Sequence, residues 1–531
     1  MSHRPADRPA VPSQIMTPWA GRLASRRRVI TGVTGLGVAA VVTGCGDSGS
    51  GSGPTTIPPG DAPELGGVDA PTATTAAPAT SAQPTGEAAQ PLAAQTLPGD
   101  PVLVVSPRLP LAGIGSGQQA GLLDGTLTDW ESVGSPASLP VEALGAVGAD
   151  GYDDAVEQLD TGLEDLDAPV GRVASVPLAV VDFRVNVLSV DGKDALRDRT
   201  EGEHGPIIRV AMVGDVVPGR NIHLTMERYG DFQYPFRRVA ERLAGFDLTI
   251  ANLEGNISDT LENPVYTKPN TIDFVTGSAF LDGFKLAGID AVTLGNNHSC
   301  FNETGWGTQG LEDTMAALTA AGLPWFGAGY DLTEARRAFT TEIGGISIAV
   351  LGHDAVTANL DIEQSRPLGV VAQTWGADDS APGTNPFGLD QFLADVEAAV
   401  ADHDIVIPYL HGGAEFQWIV PEWLQEAARG AIDAGATLVV TNHPHIIQGM
   451  EVYAGRPIVY SLGNFIFDQM FSVDTRQGVI LDLTFDGPVL VGLRLGGVEI
   501  MDFCQPRPMA AAEQAALMDR FWRSTDRLAT R

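Results

Sequence analysis

Cysteine, basic residues and long apolar runs are all scarce in this sequence, and each shortage removes a class of protein. Three cysteines in 531 residues are too few for a disulfide scaffold or a cysteine-only zinc site. Only 32 Lys and Arg stand against 66 Asp and Glu, a formal charge of −34. A chain this acidic lacks the basic patches that phosphate backbones require, which excludes a nucleic-acid binder. Nowhere do about 18 apolar residues follow one another, so no conventional transmembrane helix is expected. What remains, 44% hydrophobic and 18% charged residues, is the profile of a foldable protein with an acidic surface. Its length predicts two or three domains.

The beginning of the chain reads as an address. Residues 1–45 hold six arginines and one acid, Asp7. Ser25-Arg26-Arg27-Arg28 leads into an apolar and small-residue stretch from Val29 to Val42, then Thr43, Gly44 and Cys45. That order is expected of a secretory signal. The arginines resemble a twin-arginine export signal, and Val42-Thr43-Gly44-Cys45 resembles a bacterial lipobox, which implies lipidation of Cys45 and a protein tethered to the outer face of the membrane. The alternative is ordinary cleavage and release. Residues 46–99 contain no aromatic residue, Lys or Arg and are dominated by Gly, Ser, Pro, Thr and Ala. They read as a tether that cannot bury enough apolar surface to order itself.

Two folded regions are expected after it. In residues 100–205, Pro101 to Ser106, Ala174 to Val181 and Val185 to Asp191 read as strands. Leu122 to Gly134, with Trp130 in it, resembles a segment of phosphate-binding-type solute-binding proteins, which implies a small α/β module amounting to one lobe of such a binder. A structural module with a buried Trp130 is the competing expectation. In residues 206–505, apolar runs at 207–213, 248–251, 291–294, 346–351, 405–410, 437–440 and 458–460 alternate with amphipathic stretches such as 308–321, 391–401 and 421–434. That alternation predicts an α/β fold with a largely buried sheet. A C-terminal helix is expected in 506–531.

Nearly every one of these strand candidates runs into a polar cluster: Gly214-Asp215, Asn252-Leu253-Glu254, Asn296-Asn297-His298, His411-Gly412-Gly413-Ala414-Glu415 and Asn442-His443-Pro444-His445. In α/β sheets ligands bind beyond the carboxyl ends of the strands, so these clusters should converge. Asp or Asn after a strand is often a turn former, and a lone loop histidine is usually only hydrogen-bonded. Four of the nine histidines, however, fall in these clusters. Carboxylate, amide oxygen and imidazole together suit divalent manganese, iron or zinc, and a bridging carboxylate permits two ions about 3.5–4 Å apart. The run Ser461-Leu462-Gly463-Asn464 lacks the G-x-S-x-G elbow of serine hydrolases, so Ser461 reads as structural.

Asp215 in G-D-x-x-x-G-R, Asn252-Leu253-Glu254, Asn296-Asn297-His298, His411 to Glu415, His443-Pro444-His445 and Ser461 to Gln469 occur in the order found in the CapA family, bacterial capsule synthesis proteins associated with poly-γ-glutamate and related to calcineurin-like metallophosphatases. The resemblance implies a calcineurin-like α/β sandwich with a dinuclear metal site. It implies metal ligation by Asp215, Glu254 as bridge, Asn297, His411, His443 and His445, and His298 beside them as acid or electrophile. Arg220 would pair with a substrate phosphate or carboxylate, or else form a salt bridge to a protein acid. Three departures stand out. Asp215 is followed by Val216 and Val217, which removes the usual Asp-x-His donor. The acid that commonly follows Asn-Asn-His is displaced in Ser299-Cys300-Phe301-Asn302-Glu303. Gly412 replaces an aromatic, which should open that side of the pocket.

Two functions of different kind follow as expectations. One is a metal-dependent hydrolase or transferase acting outside the membrane on a phosphoester or an amide-linked anionic polymer, with other capsule-synthesis proteins as partners. The other is a non-catalytic module that binds or anchors an envelope polymer. A third and weaker reading makes the 100–205 module a ligand sensor. Cys300 and Cys504 are candidates for a disulfide in an exported protein, or two separate buried thiols.

Overall fold

Strand Ile207–Val216 shows how the pattern becomes a fold: Val210 and Met212 enter one core while Ala211 and Val213 enter another on the opposite face. Side chains alternate across a strand, so a strand apolar on both faces must be covered on both. The computed structural model describes residues 101–164, 168–198, 204–300, 305–356 and 376–529. The expected export signal, Cys45 and the tether lie outside the described residues, as does the 301–304 stretch.

The strand Ile207–Val216 is central in an eight-stranded sheet. To one side lie the parallel strands Leu248–Leu253, Ala291–Thr293 and Trp325–Phe326; to the other lie the antiparallel strands Gln477–Asp486, Val489–Met501 and Gln505–Pro508, with Asn464–Ile466 pairing beside it. A second sheet of six strands runs Phe339–Ile343, Ile346–Asp354, Ile405–His411, Val439–Asn442, Arg456–Tyr460 and Met450–Tyr453, its four middle strands parallel. Val210, Met212 and Ile250 of the first sheet meet Ile348, Val350, Ile407 and Val440 of the second in one core between the sheets. Phe236, Phe280 and Phe284 cover the first sheet's outer face, and helices Leu389–Asp402 and Glu422–Asp433 cover the second's. This is an α/β sandwich, as the sequence resemblance implied.

Ahead of it lies a smaller mixed sheet, ordered Val141–Ala146, Gly171–Pro177, Pro101–Val105 and Asn186–Val187, with helix Tyr152–Glu164 against it. Trp130 is fully buried here and donates from Nε1 to the Gly171 carbonyl at 2.9 Å. A Cβ on Gly171 would lie 2.1 Å from that nitrogen, so glycine is what lets the indole approach. The geometry accords with the structural reading of Trp130, and no second lobe stands among the described residues. Arg197 and Arg494 join the module to the sandwich through Asp482 and Asp194.

The two sheets align their polar ends. Asp215 is in register with Asn252, Asn252 with Thr293, Asp354 with His411, and His411 with Asn442. Topology therefore delivers the strand-end residues of both sheets to one edge of the sandwich.

Candidate metal centre

At that edge Glu254, His443 and His445 each offer one ligand atom, all within 4.8 Å of one another. They are the one cluster of this kind among the described residues. All three are buried. Both histidines sit at positive φ, 113° for His443 and 57° for His445, on either side of Pro444. Two non-glycine residues in left-handed backbone cost of order 1–3 kcal/mol each and persist where the surroundings over-determine them.

Each partner of His445 fixes its ring. Nδ1 lies 3.1 Å from Asp215 Oδ2 and 3.0 Å from Asn464 Oδ1. The Asn464 amide is oriented by its own donations to the carbonyls of His445 and Thr475. Facing two acceptors, Nδ1 carries the proton, and Nε2 is left with its lone pair, 3.9 Å from Glu254 Oε1. Burial opposes charging His445, but its hydrogen bond to Asp215 and that carboxylate's charge raise its pKa. Burial likewise opposes ionisation of Asp215, and the bonds from His445, Asn252 and Asn442 outweigh it. Glu254 lacks such help: burial first, then the neighbouring Asp215, pushes it well above the ordinary carboxylate range.

Asp215 thus stands behind His445, outside the three-residue cluster. Its Oδ1 accepts from Asn252 Nδ2 at 2.7 Å. His411 and Asn297, also expected as ligands, bond to each other: His411 Nε2 lies 2.8 Å from Asn297 Oδ1 and 3.6 Å from Glu254 Oε1. All six expected metal residues share the edge, but three gather as a ligand set and three are held by hydrogen bonds. The physical reason is Asn252, whose amide nitrogen reaches both Asp215 and His411 while its oxygen accepts from Asn296.

His298 lies against Phe274, ring centroids 4.4 Å apart, with Nε2 4.0 Å from Glu254 Oε1. Burial, and then the positive neighbours His445 and Arg220, push it down to about 3, so it is neutral at physiological pH. Arg220 takes the ion-pair alternative. Its Nε donates to Asp468 at 3.1 and 3.2 Å, and its guanidinium lies over Phe274 and Phe467 at 4.9 and 5.2 Å. Arg220 is thus paired with Asp468 and packed over Phe274, which in turn meets His298.

One further expectation is corrected, and one open pair of alternatives is resolved. A Cβ at Gly412 would lie 2.9 Å from Trp423 Cη2 and 3.1 Å from Ala355 Cβ, so the space of the absent aromatic is filled rather than open. Neither Cys300 nor Cys504 is in a disulfide, and both are buried. Ser461 is structural as expected: its hydroxyl donates to the Ile446 carbonyl at 2.7 Å. The amide shell of Asn252, Asn296, Asn442 and Asn464 was in the motifs but assigned no role. The one available signal was that each of these asparagines stands within a strand-end motif.

The sequence that carries this geometry has relatives. The family model described as bacterial capsule synthesis protein PGA_cap matches residues 209–469, which contain every residue of the site. The chain carries a CapA-family domain. It is 30% identical over 268 residues to the capsule biosynthesis protein CapA of Bacillus anthracis, covering 49% of this chain and 60% of that protein. It is 29% identical over 275 residues to the PGA biosynthesis protein CapA of Bacillus subtilis, covering 50% of this chain and 64% of that one. The CapA match thus spans less than two thirds of either relative. Among solved structures, a 5'-nucleotidase precursor from Thermus thermophilus aligns at 11% identity with a TM-score of 0.34, covering 61% of this chain and 59% of that one. The layer architecture itself rests on the sheet order given above.

Proposed function

We propose that this CapA-domain chain is an exported, lipid-anchored protein that acts on an anionic envelope polymer of the poly-γ-glutamate type through a divalent metal site, as a hydrolase or transferase. One observation carries the metal part. Glu254 is fully buried, and neither of its carboxylate oxygens has a hydrogen bond; neither ring nitrogen of His443 beside it has one either. A buried carboxylate without a partner costs several kcal/mol, about 3–5 where a pair is broken, and a bound cation removes that cost. Glu254, His443 and His445 Nε2 are the residues that would hold it, and their mixed oxygen and nitrogen donors suit manganese, iron or zinc.

In its finer form the proposal has two ions, one that Asp215, Glu254, His443 and His445 would hold and one that Glu254, Asn297 and His411 would hold. When bound, such ions supply charge neutralisation for an anionic substrate and a water of lowered pKa. The chain's own contribution is positional. Neutral His298, its ring tilted 47° against Phe274, is placed to hydrogen-bond a departing oxygen as an electrophile. The substrate class comes from the relatives' names, capsule biosynthesis and PGA biosynthesis. The anchor comes from the lipobox-like sequence ending at Cys45. Export and anchoring are tested together by fractionation: Cys45→Ser should move the protein out of the membrane fraction, and unchanged association would sink the anchor.

A second reading is favoured by the hydrogen bonds that occupy Asp215, Asn297 and His411. It holds that the site binds an ion for structure and the domain binds or anchors polymer without cleaving it. A panel of phosphoesters and poly-γ-glutamate, incubated with metal-loaded protein, separates the two. Turnover that disappears in His298→Ala supports the enzyme; saturable polymer binding with no product supports the module.

A further inference from the structure

A cavity of about 800 Å3 opens where the N-terminal module meets the sandwich and helix Ala511–Ala529, and none of its lining residues belongs to the metal cluster. Its volume lies in the range of small-molecule sites, roughly 300–1,000 Å3. The walls divide by chemistry. Leu109, Phe183, Met450, Leu493, Met518 and Trp522 provide apolar surface. Against two aspartates, Asp160 and Asp482, stand five arginines. That is the reverse of the balance in the whole chain, whose formal charge is −34.

Three of these arginines are committed to carboxylates. Arg108 pairs with Asp526 at 2.8 Å while lying over Trp522, Arg184 with Asp182 at 2.7 Å, and Arg494 with Asp194 at 2.5 Å. Arg197 Nη2 reaches both oxygens of Asp482 at 2.9 Å. Its Nε is buried 3.3 Å from Asp194 Oδ2 but makes no hydrogen bond. Arg242 is different again. Asp482 acts on it through charge alone, Arg197 repels it, and the surrounding protein disfavours its charged form even though the residue is exposed where it lines the cavity. Its position depends on a glycine: a Cβ at Gly496 would lie 2.1 Å from Arg242 Nη2. The cavity therefore holds, in Arg242, a guanidinium that no protein acid hydrogen-bonds, next to an apolar wall.

We propose that this cavity binds a small organic anion with an apolar body, a carboxylate or phosphate monoester whose charged end is received by Arg242 and whose body lies against Trp522, Met518 and Phe183. The anion would complete guanidinium hydrogen bonds that the fold leaves open. Such a ligand would touch the module, strand Val489–Met501 and the C-terminal helix at once, and so join parts of the chain far apart in sequence.

The test is calorimetric titration of the full chain with octanoate, octyl phosphate and, as the uncharged control, octanol. One-to-one binding of an anion is expected, with octanol weaker by about tenfold or more, the loss of one charge-assisted hydrogen bond. Arg242→Gln should weaken the anion by a similar factor and Arg242→Lys by less, while His443→Ala leaves it unchanged. Octanol binding as well as octanoate would overturn the proposal, and so would absence of saturable binding by either anion. Anion binding lost in His443→Ala but kept in Arg242→Gln would place it at the metal cluster instead. Should Arg242→Gln fail to fold, the comparison of octanoate with octanol on the unaltered chain still decides.

Discussion

His445 Nδ1 lies 3.1 Å from Asp215 Oδ2, and this contact turns a histidine at the end of one sheet toward a glutamate at the end of the other. A carboxylate behind a metal-ligating histidine fixes the tautomer and raises the basicity of the ligating nitrogen. Asp215 and Asn464 together occupy the non-ligating side of His445. Removing Asn464 should therefore cost metal affinity without removing a ligand. Asn464→Ala is expected to weaken binding about 10- to 100-fold, measured by competition with a chromophoric chelator.

The same contact predicts a pH dependence. The pKa of His445 is raised by Asp215, so in the metal-free protein it holds a proton to higher pH than an ordinary histidine, near 6.5. Metal must displace that proton. Apparent affinity should therefore keep rising with pH above the ordinary histidine value of about 6.5. In Asp215→Asn the carboxylate that raises His445 is gone, and the rise should move to lower pH. Chelator competition at several pH values reads both curves.

His353 tests whether strand-end histidines are interchangeable. It is buried like the others, but Nε2 lies 3.2 Å from Asp395 Oδ2 and its ring meets Phe392 edge-on at 4.9 Å. His353→Ala should leave metal content intact. Its partner Asp395 should matter for stability instead. Burial would raise Asp395, but bonds from His353 and Arg336 hold it below the ordinary carboxylate range. A depressed folded pKa contributes stability that is present above the unfolded value, about 3.9, and lost as pH falls through the folded one. Asp395→Asn should therefore cost about 2 kcal/mol near neutrality, a charged hydrogen bond's worth, with the difference closing in acid. Urea unfolding at two pH values measures it.

In the N-terminal module the Trp130–Gly171 contact should dominate. Trp130→Phe keeps most of the packing but loses the Nε1 bond, for about 1 kcal/mol. Trp130→Ala should cost about 3–5 kcal/mol. Gly171→Ala brings a Cβ within 2.1 Å of the indole nitrogen and should be destabilising too. The two changes share one contact, so Gly171→Ala should cost less in the Trp130→Ala background than alone. Thermal unfolding of the four proteins checks this.

Much of the architecture was legible because buried parallel strands leave continuous apolar runs, and seven such runs lie on or within a residue or two of observed strands. The long hairpin of Gln477–Asp486 and Val489–Met501 was not read as strands. Gly492, Gly496 and Gly497 interrupt its second strand, and glycine weakens the strand pattern. At the site, the convergence of strand ends followed from topology, so all the named histidines and acids could be expected at one edge. Which of them gather as a candidate ligand set could not. That choice is made by Asn252 and Asn464, and an asparagine after a strand looks the same in sequence whether it closes a turn or orients a histidine. Arg220 was open for a similar reason: its partner Asp468 is 248 residues away. Gly412 misled because an absent side chain suggests space, and only packing shows Trp423 in it.

The most direct test of the central claim is the divalent metal content of the purified full chain, by elemental analysis after expression in metal-supplemented medium, for the unaltered protein and for His443→Ala. The account predicts at least one ion per chain in the first, and its loss in the second with helix and strand content unchanged. A metal-free unaltered protein, or equal metal in both, would contradict it.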